Sequence, residues 1–448
     1  MKKLVMLLIV IAAMAMMVPM VGAQGPSVYD SSIQVQNLDA ANTANIVVEF
    51  YNQDGTIAHS FSDTVSASGS NTYFPLSVAA GFDGSVVVSS DREVAAIVNV
   101  IADNFAFGSS YGGFDGGAEV ISLPLIMRGN SGFNTWFNVQ NAGGTAATIN
   151  VDYADSACAE GPITIQPGAA HTFDQATFSC LGTTYVGAAT VTGNSGSQLV
   201  ATVMEAGSQA PLLNLLSYNG FTTGSTELVA PLVQFNNSGF TSGFSIQNAG
   251  GTATNVTVSF TPGAGNPGTA CTETISIAPG SSQTFGLFAF TLTGSNNTTC
   301  TRGERFIGSA EVTTNSASQD LVGIVNQINF AYFGSAYNAI DPAAATNTVV
   351  MPLIMGQNSG FFTTWNLANV GGSSTNVSCT YSNSAVTSNQ TLGAGEAWTL
   401  DHNNLFGGTY VGSATCTADG AGIIVAVVNE FTFTNNADLL FTYNAVNR

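Results

Sequence analysis

Lysine is nearly absent from this chain, because Lys2 and Lys3 are the only two. The other five of the 7 basic residues are arginines, against 27 acidic residues, and only 8% of all residues are charged. The formal net charge is −20. Nucleic-acid binding needs clustered Lys and Arg, and anionic lipid headgroups repel an acidic surface. The composition therefore excludes nucleic acid and anionic membranes as partners.

Both lysines lie in an N-terminal stretch with the pattern of a secretion signal. They precede an apolar run from Leu4 to Val18, and small residues lead up to Ala23, as at a signal-peptidase site. An uncleaved anchor is the alternative, since residues 4–21 could nearly span a bilayer, but Pro19 and the small residues favour cleavage. We expect residues 1–23 to be a signal peptide. The mature chain is then secreted, extracellular or at the cell surface, with no membrane insertion after cleavage.

Helical periodicity is also missing, while period-two alternation is common. Short runs of Val, Thr, Phe and Tyr stand between clusters of Gly, Asn and Ser, which is typical of strands and tight turns. A hydrophobic content of 45% and a mean hydropathy of +0.26 argue against disorder. We therefore predict an all-β fold class.

The chain repeats itself at the scale of a domain. A stretch with the pattern Pro-Leu, Asn-Ser-Gly-Phe and a final Asn recurs at 124–144, 231–251 and 352–372, with a truncated echo at 32–40. Equivalent asparagines (Asn37, Asn141, Asn248, Asn369) are 104, 107 and 121 residues apart. Seven to eight short strands in about 110 residues are typical of an immunoglobulin-like β-sandwich. We predict four tandem modules after the signal peptide: 24–116, 117–223, 224–343 and 344–448.

Alternation within the repeated stretch predicts one buried face in every module. Phe137 and Val139 alternate with Asn138 and Gln140, and the other copies keep the same apolar phase. A slip of one residue would expose this face, so we expect these apolar residues to be core. The equivalent pairs are Ile33 and Val35, Phe244 and Ile246, and Trp365 and Leu367.

Cysteine is absent from the first module, and each of the other three has two. The fourth module places Cys379 and Cys416 where the other modules carry valines on two separate strands, and such a paired exchange indicates that the two side chains touch. In the second and third modules the cysteines occupy matching loops. Six cysteines allow 15 pairings, and the repeat alignment narrows them. We predict the disulfides Cys158–Cys180, Cys271–Cys300 and Cys379–Cys416, which require an oxidising compartment.

Motifs that resemble catalytic or cofactor sites have the wrong context. Residues 108–112 match G-x-S-x-G, but they overlay ordinary strand ends of the other repeats. His59, His171 and His402 fall at unrelated repeat positions and are expected to be solvated. Asp152, Asp155 and Glu160 fit no calcium-loop spacing, and a solvated turn is the favoured interpretation.

We therefore expect no catalytic residues, no cofactor, no bound metal and no enzymatic activity. Sequons offer possible glycosylation sites, if the host glycosylates the chain. They lie at Asn236, Asn255, Asn296, Asn297, Asn376 and Asn389.

The repeated motifs resemble tandem immunoglobulin-like repeats of secreted bacterial cell-surface proteins. The resemblance rests on the Pro-Leu and Asn-Ser-Gly-Phe stretch, the Ile-x-Pro-Gly turn, the aromatic-x-Gly strand and the final Tyr-Asn strand, and it covers nearly the whole mature chain. It implies an extracellular structural or adhesive role. Lysine–asparagine cross-links are excluded without a mature lysine, so disulfides would take that stabilising part in three modules.

We expect a structural subunit of an extracellular filament, sheath or surface layer, self-associated or bound to other cell-surface components. The modules in series would suit lateral or end-to-end packing. The alternative is an adhesin or glycan-binding array, with aromatics such as Tyr29, Phe105, Phe107 or Phe114 stacked on sugars, although these aromatics suit module junctions equally well.

One sequence feature bears on assembly. The first strand of modules two to four contains the Pro-Leu pair, and its equivalent in the first module would fall within the leader, at 19–23. Cleavage would leave that module without the strand. A strand from a neighbouring subunit could fill the gap. Otherwise residues 25–29 fold back over it, or the module is simply smaller.

Overall fold

The computed structural model describes residues 26–207, 213–286, 297–329, 333–433 and 437–448. Within these ranges the chain is built from β-strands, with two short 3-10 turns at Ser179–Leu181 and Pro342–Ala344 and no α-helix. The predicted all-β fold class is confirmed. The strands follow the alternating sequence: Ala147–Tyr153, for instance, alternates strictly between buried and exposed residues.

The first half of the chain contains fifteen strands in two modules. Module 1 comprises β1 (Tyr29–Asn37), β2 (Ala44–Asn52), β3 (Ile57–Val65), β4 (Ser70–Tyr73), β5 (Gly84–Ser90), β6 (Val94–Ala102) and β7 (Phe107–Gly112). Module 2 comprises β8 (Val120–Arg128), β9 (Phe133–Asn141), β10 (Ala147–Tyr153), β11 (Ala159–Ile165), β12 (Ala170–Asp174), β13 (Tyr185–Gly193), β14 (Leu199–Gly207) and β15 (Leu215–Asn219).

The second half follows the same plan. Module 3 comprises β16 (Glu227–Phe235), β17 (Phe240–Asn248), β18 (Thr254–Pro262), β19 (Cys271–Ile277), β20 (Ser282–Phe285), β21 (Asn297–Thr298), β22 (Phe306–Thr314), β23 (Leu321–Asn329) and β24 (Phe333–Asn338). Module 4 comprises β25 (Thr348–Gly356), β26 (Phe362–Asn369), β27 (Thr375–Tyr381), β28 (Thr387–Leu392), β29 (Ala397–Asp401), β30 (Tyr410–Ala418), β31 (Ile424–Phe431), β32 (Asp438–Asn444) and β33 (Val446–Asn447).

Each module encloses one core between two antiparallel sheets. In module 2 the outer sheet has the order β11-β10-β13-β8 and the inner sheet the order β12-β9-β14-β15. Modules 3 and 4 repeat both orders, whereas the outer sheet of module 1 is only β3-β2-β5. Phe137, Val139 and their equivalents in the other modules all lie in the cores, as the alternation predicts.

The modules form a closed ring around their last inner-sheet strands. The sequence suggested modules in series, and the structure differs from that arrangement. We call β7, β15, β24 and β32 the tyrosine strands, because each carries an equivalent tyrosine. β7 contacts β15, β15 contacts β24, and β24 contacts β32. β32 then pairs in parallel with β7, which joins modules 4 and 1 into one eight-stranded sheet. The linear repeat pattern does not encode this closure, because the contacts join residues far apart in sequence.

Polar side chains hold the tyrosine strands together at the centre of the ring. The residue after each tyrosine is an asparagine in modules 2 to 4, and its side-chain amide donates to the main chain of the preceding module. Asn219 Nδ2 reaches Gly112 O at 2.8 Å, Asn338 Nδ2 reaches Asn219 O at 2.6 Å, and Asn444 Nδ2 reaches Asn338 O at 2.7 Å. The Tyr-Asn motif of the sequence is therefore a connection between modules.

Apolar residues seal three of the four junctions. Ile324 of module 3 packs into the core of module 2, Val427 of module 4 into that of module 3, and Ile97 of module 1 into that of module 4. The equivalent residue facing module 1 is Thr202, which is polar and partly exposed. The junction between modules 1 and 2 is thus built differently from the others.

Candidate strand-acceptor slot in module 1

The first strand of modules 2, 3 and 4 has no counterpart among the described residues of module 1. We call β8, β16 and β25 the proline strands; each has nine residues with proline at the fifth position. They pair antiparallel with β13, β22 and β30, and the register shifts around each proline. Proline has no N–H to donate to a ladder, so a bulge at this point is expected.

A tyrosine hydroxyl satisfies the peptide that this bulge leaves unpaired. Tyr218 Oη donates to Leu125 O at 2.6 Å and accepts from Leu125 N at 3.2 Å. Tyr443 does the same for Leu353, and Tyr337 for the equivalent leucine of β16. Buried backbone groups need such partners, so each tyrosine strand holds its own proline strand in place.

Module 1 has no proline strand among the described residues, and this leaves β5 at an open edge. β5 pairs with β2 on one side, and no described strand pairs with its other side. Its sequence, GSVVVSS, contains no charged residue and no proline. Exposed edges are usually protected by charges, prolines or bulges. The opposite edge of the same sheet, β3, does carry Asp63 and His59.

The core of module 1 opens towards this edge. Val86, Val88, Ala96 and Val98 are all partly exposed. Their equivalents in module 2 are at most 1% exposed, because β8 covers them: Ala189, Val191, Ala201 and Val203. With no such strand among the described residues, this apolar surface of module 1 is partly exposed.

Tyr111 is the module 1 equivalent of the tyrosines that hold the proline strands. It is partly buried, and among the described residues its hydroxyl has no hydrogen-bond partner. Burial raises the pKa of Tyr111 to about 12, so the phenol stays protonated at neutral pH and remains able to donate. It occupies the position from which Tyr218 binds the peptide of Leu125.

Module 2 provides the opposite wall. Each proline strand also contacts the inner sheet of the next module: β8 contacts β17 and β23, β16 contacts β26 and β31, and β25 contacts β1 and β6. Nearly every residue of β17 and β26 is therefore buried, whereas β9 alternates between buried and half-buried residues. Trp136 and Asn138 lie on this half-buried face of β9, where Trp136 packs beside the cluster that contains Val100. We call the space bounded by β5, Tyr111 and this face the module 1 slot.

The start of the described chain does not fill the slot. Val28 N donates to Asp103 Oδ1 at 2.9 Å, and Ser27 Oγ donates to the same oxygen at 2.9 Å. Tyr29 then begins β1 and packs edge-on against Trp136, with ring centroids 5.5 Å apart. Residues 26–29 therefore form no ladder with β5, and Gly25 lies outside the described residues.

The cysteines lie away from the slot, and the structure joins the three predicted pairs. The S–S distances are 2.04 Å for Cys158–Cys180, 2.10 Å for Cys271–Cys300 and 2.05 Å for Cys379–Cys416. Cys379 and Cys416 are directly opposite on β27 and β30. The paired exchange of valines for cysteines therefore does reflect neighbouring side chains.

One histidine was misjudged from the sequence. His402 is buried and not solvated: Nε2 lies 3.2 Å from Tyr381 Oη, and Nδ1 lies 3.1 Å from Thr363 O. Burial lowers its pKa to about 4, so it is neutral at pH 7. The prediction was wrong because a residue that differs between repeats can still be buried. In module 4 His402 contacts Tyr381 and Thr363 of the same module.

The remaining candidate residues are dispersed. Asn236, Asn255, Asn376 and Asn389 are exposed, while Asn296 lies outside the described residues and nothing is stated of the Asn297 side chain. In the acidic loop, Asp155 Oδ1 accepts from Ser281 of module 3 at 2.9 Å and Glu160 accepts from Tyr153. Across the described ranges, no group of three or more His, Cys, Asp and Glu side chains is arranged to hold a metal ion.

The aromatic residues proposed for glycan stacking lie mostly at module junctions. Phe107 packs with Val100 and Met204 between modules 1 and 2, and Phe105 packs near Phe441 between modules 1 and 4. A polar cleft between modules 1 and 4, lined by Gln36, Thr415 and others, has a volume of about 170 Å³, below the 300–1,000 Å³ typical of small-molecule sites.

Comparisons with known proteins give this chain no family. No protein-family model matches it, and no curated protein matches it. A solved structure described as "tetra-tandem repeat in extending region of large adhesion protein" is 12% identical and aligns over 94% of this chain and 95% of its own, with a TM-score of 0.11. No helix of the described residues is long and apolar enough to cross a membrane.

Proposed function

We propose that this is a secreted, non-enzymatic structural protein of the cell surface, built from four immunoglobulin-like β-sandwich modules. It would serve as a subunit of a filament, sheath or surface layer. Its modules bind one another in a closed ring, and module 1 attaches it to other cell-surface polypeptides. The observation that carries this proposal is the unprotected β5 edge, which lies over a partly exposed core.

Two further features support an extracellular, structural role. Three disulfides are typical of oxidising compartments. The serines of the G-x-S-x-G match lie at the junction with module 2: Ser109 Oγ lies 2.7 Å from Ser217 Oγ, which donates to Ser110 O, and Ser110 Oγ donates to Asn99 within module 1. Both serines are buried, so the motif is explained by packing between modules.

The proposal is tested by expressing the chain with its own leader and following the processed product. We expect it at the cell surface in assemblies visible by electron microscopy, with native mass spectrometry showing complexes heavier than one chain. A product that stays monomeric at high concentration and is released without any partner would contradict it. A processed N-terminus other than Gln24 would change the length of chain beside the slot.

A further inference from the structure

We propose that the module 1 slot binds one extended segment of a separate polypeptide, as a β-strand antiparallel to β5 with the pattern of this chain's own proline strands. This inference deepens the proposed function by naming the chemistry of the partner. β-Strand addition to a free sheet edge is a common mode of peptide recognition, in which main-chain hydrogen bonds give affinity and side-chain pockets give specificity.

The sister modules define the chemistry of the bound segment. In all three proline strands the residues at positions −3, −1, +1 and +2 from the proline are apolar and at most 9% exposed. These residues are Ile121, Leu123, Leu125 and Ile126 in β8, Leu228, Ala230, Leu232 and Val233 in β16, and Val349, Met351, Leu353 and Ile354 in β25. In module 1 no described strand of this kind lies next to β5, and the core residues Val86, Val88, Ala96 and Val98 are partly exposed. A segment with the same apolar pattern therefore fits the open core.

The register follows from three fixed points in the sister modules. The residue one before the proline pairs with Ala189 in module 2, whose equivalent is Val86. The residue two before it bridges to the third residue after the tyrosine, Phe221, whose equivalent is Phe114. The residue after the proline gives its N–H and C=O to the tyrosine hydroxyl, here that of Tyr111. A nine-residue segment is thereby aligned along β5.

The donor is a different polypeptide and not a second folded copy of this chain. Each proline strand of a folded copy is already paired within its own module. Moving one into the slot of a neighbour would empty an equivalent slot in the donor, so the exchange would gain no strand pairing. A separate segment that is unpaired before binding gains the whole ladder.

Trp136 provides a built-in reporter for binding. The equivalent position in module 3 is Gly243 in β17, a strand that β8 contacts. In module 4 it is Thr364 in β26, a strand that β16 contacts. The indole is half-buried and packs beside Tyr111 in the cluster that contains Val100. The other two tryptophans, Trp365 and Trp398, are buried in module 4, so a fluorescence change on binding would come from Trp136.

The test titrates the chain from Gln24 to Arg448 with a synthetic peptide of residues 120–128, followed by tryptophan fluorescence and by hydrogen exchange of the β5 amides. We expect saturable one-to-one binding that slows exchange in β5. A peptide with aspartate in place of Leu125 should not bind. Tyr111→Phe should weaken binding about 30-fold, because it removes the hydroxyl that would pair with both the N–H and the C=O of the residue after the proline.

Tyr218→Phe is the matched control, because it removes the same hydroxyl from a filled module and should leave peptide affinity unchanged. Slow β5 exchange in the free chain from Gln24 would overturn the inference, since the slot would already be closed. Slow exchange only in a chain that retains residues 1–23 would overturn it in favour of that segment as the occupant. Higher assemblies together with no peptide binding would refute this inference and leave the proposed function standing.

Discussion

Asp438 is the residue whose replacement we expect to damage the ring most clearly. It lies at the start of β32 in module 4 and is 3% exposed. Its Oδ2 accepts from Leu215 N of module 2 at 2.8 Å, and its Oδ1 accepts from Gly334 N of module 3 at 2.7 Å. One carboxyl group therefore connects three modules at the centre of the ring.

Asp438→Ala leaves both backbone N–H groups buried without an acceptor. Each such group costs about 1–3 kcal/mol, so we expect the free energy of unfolding to fall by roughly 4 kcal/mol. Asp438→Asn keeps one acceptor oxygen but turns an NH₂ towards the second N–H. We expect a loss of about half that size for this variant.

The assay is urea unfolding, followed by tryptophan fluorescence at a fixed pH. Asp115→Ala serves as the control, since Asp115 is exposed, and we expect it to change stability by less than about 0.5 kcal/mol. If Asp438→Ala unfolds within about 1 kcal/mol of the parent with an unchanged urea dependence, then water reaches these N–H groups and the reasoning from burial is wrong.

Three other predictions test separate parts of the fold. Burial raises the pKa of both Glu205 and Glu430 to about 8. The contribution of each group to stability is therefore full below about pH 4.5 and falls by about 1.4 kcal/mol per pH unit up to pH 8, and Glu205→Gln should remove one of these two contributions in pH-dependent urea titrations. Replacing both Cys379 and Cys416 by valine, the residue of the sister modules, should lower the free energy of unfolding by about 4 kcal/mol through chain entropy. Replacing both by alanine should lower it further in the same denaturation assay, and equal losses for the two variants would show that packing at this site is unimportant. Tyr218→Phe should lower stability by about 1–3 kcal/mol, because it leaves the peptide of Leu125 unpaired, and should speed hydrogen exchange in β8; unchanged exchange there would contradict the role of the tyrosine.

Much of the local structure was predictable from the repeats. Period-two alternation gave the buried faces, because side chains of a strand point alternately to its two sides. The alignment of repeats also placed Cys379 opposite Cys416, since equivalent residues occupy equivalent strands. The alignment failed for His402, because a residue that occurs in only one copy carries no signal about its surroundings.

The sequence by itself determined the strands, their core-facing residues and the cysteine partners, because each depends on local patterns or on comparison between copies. Only the tertiary structure decided that four modules close into a ring, that Asp438 joins three of them and that Tyr111 and Trp136 lie beside one slot. The ring and the contacts of Asp438 depend on residues about 100 or more positions apart. Nothing in the sequence distinguishes Asn219 or Asp438 from surface residues, and only the packing of neighbouring modules buries Asp438 and partly buries Asn219.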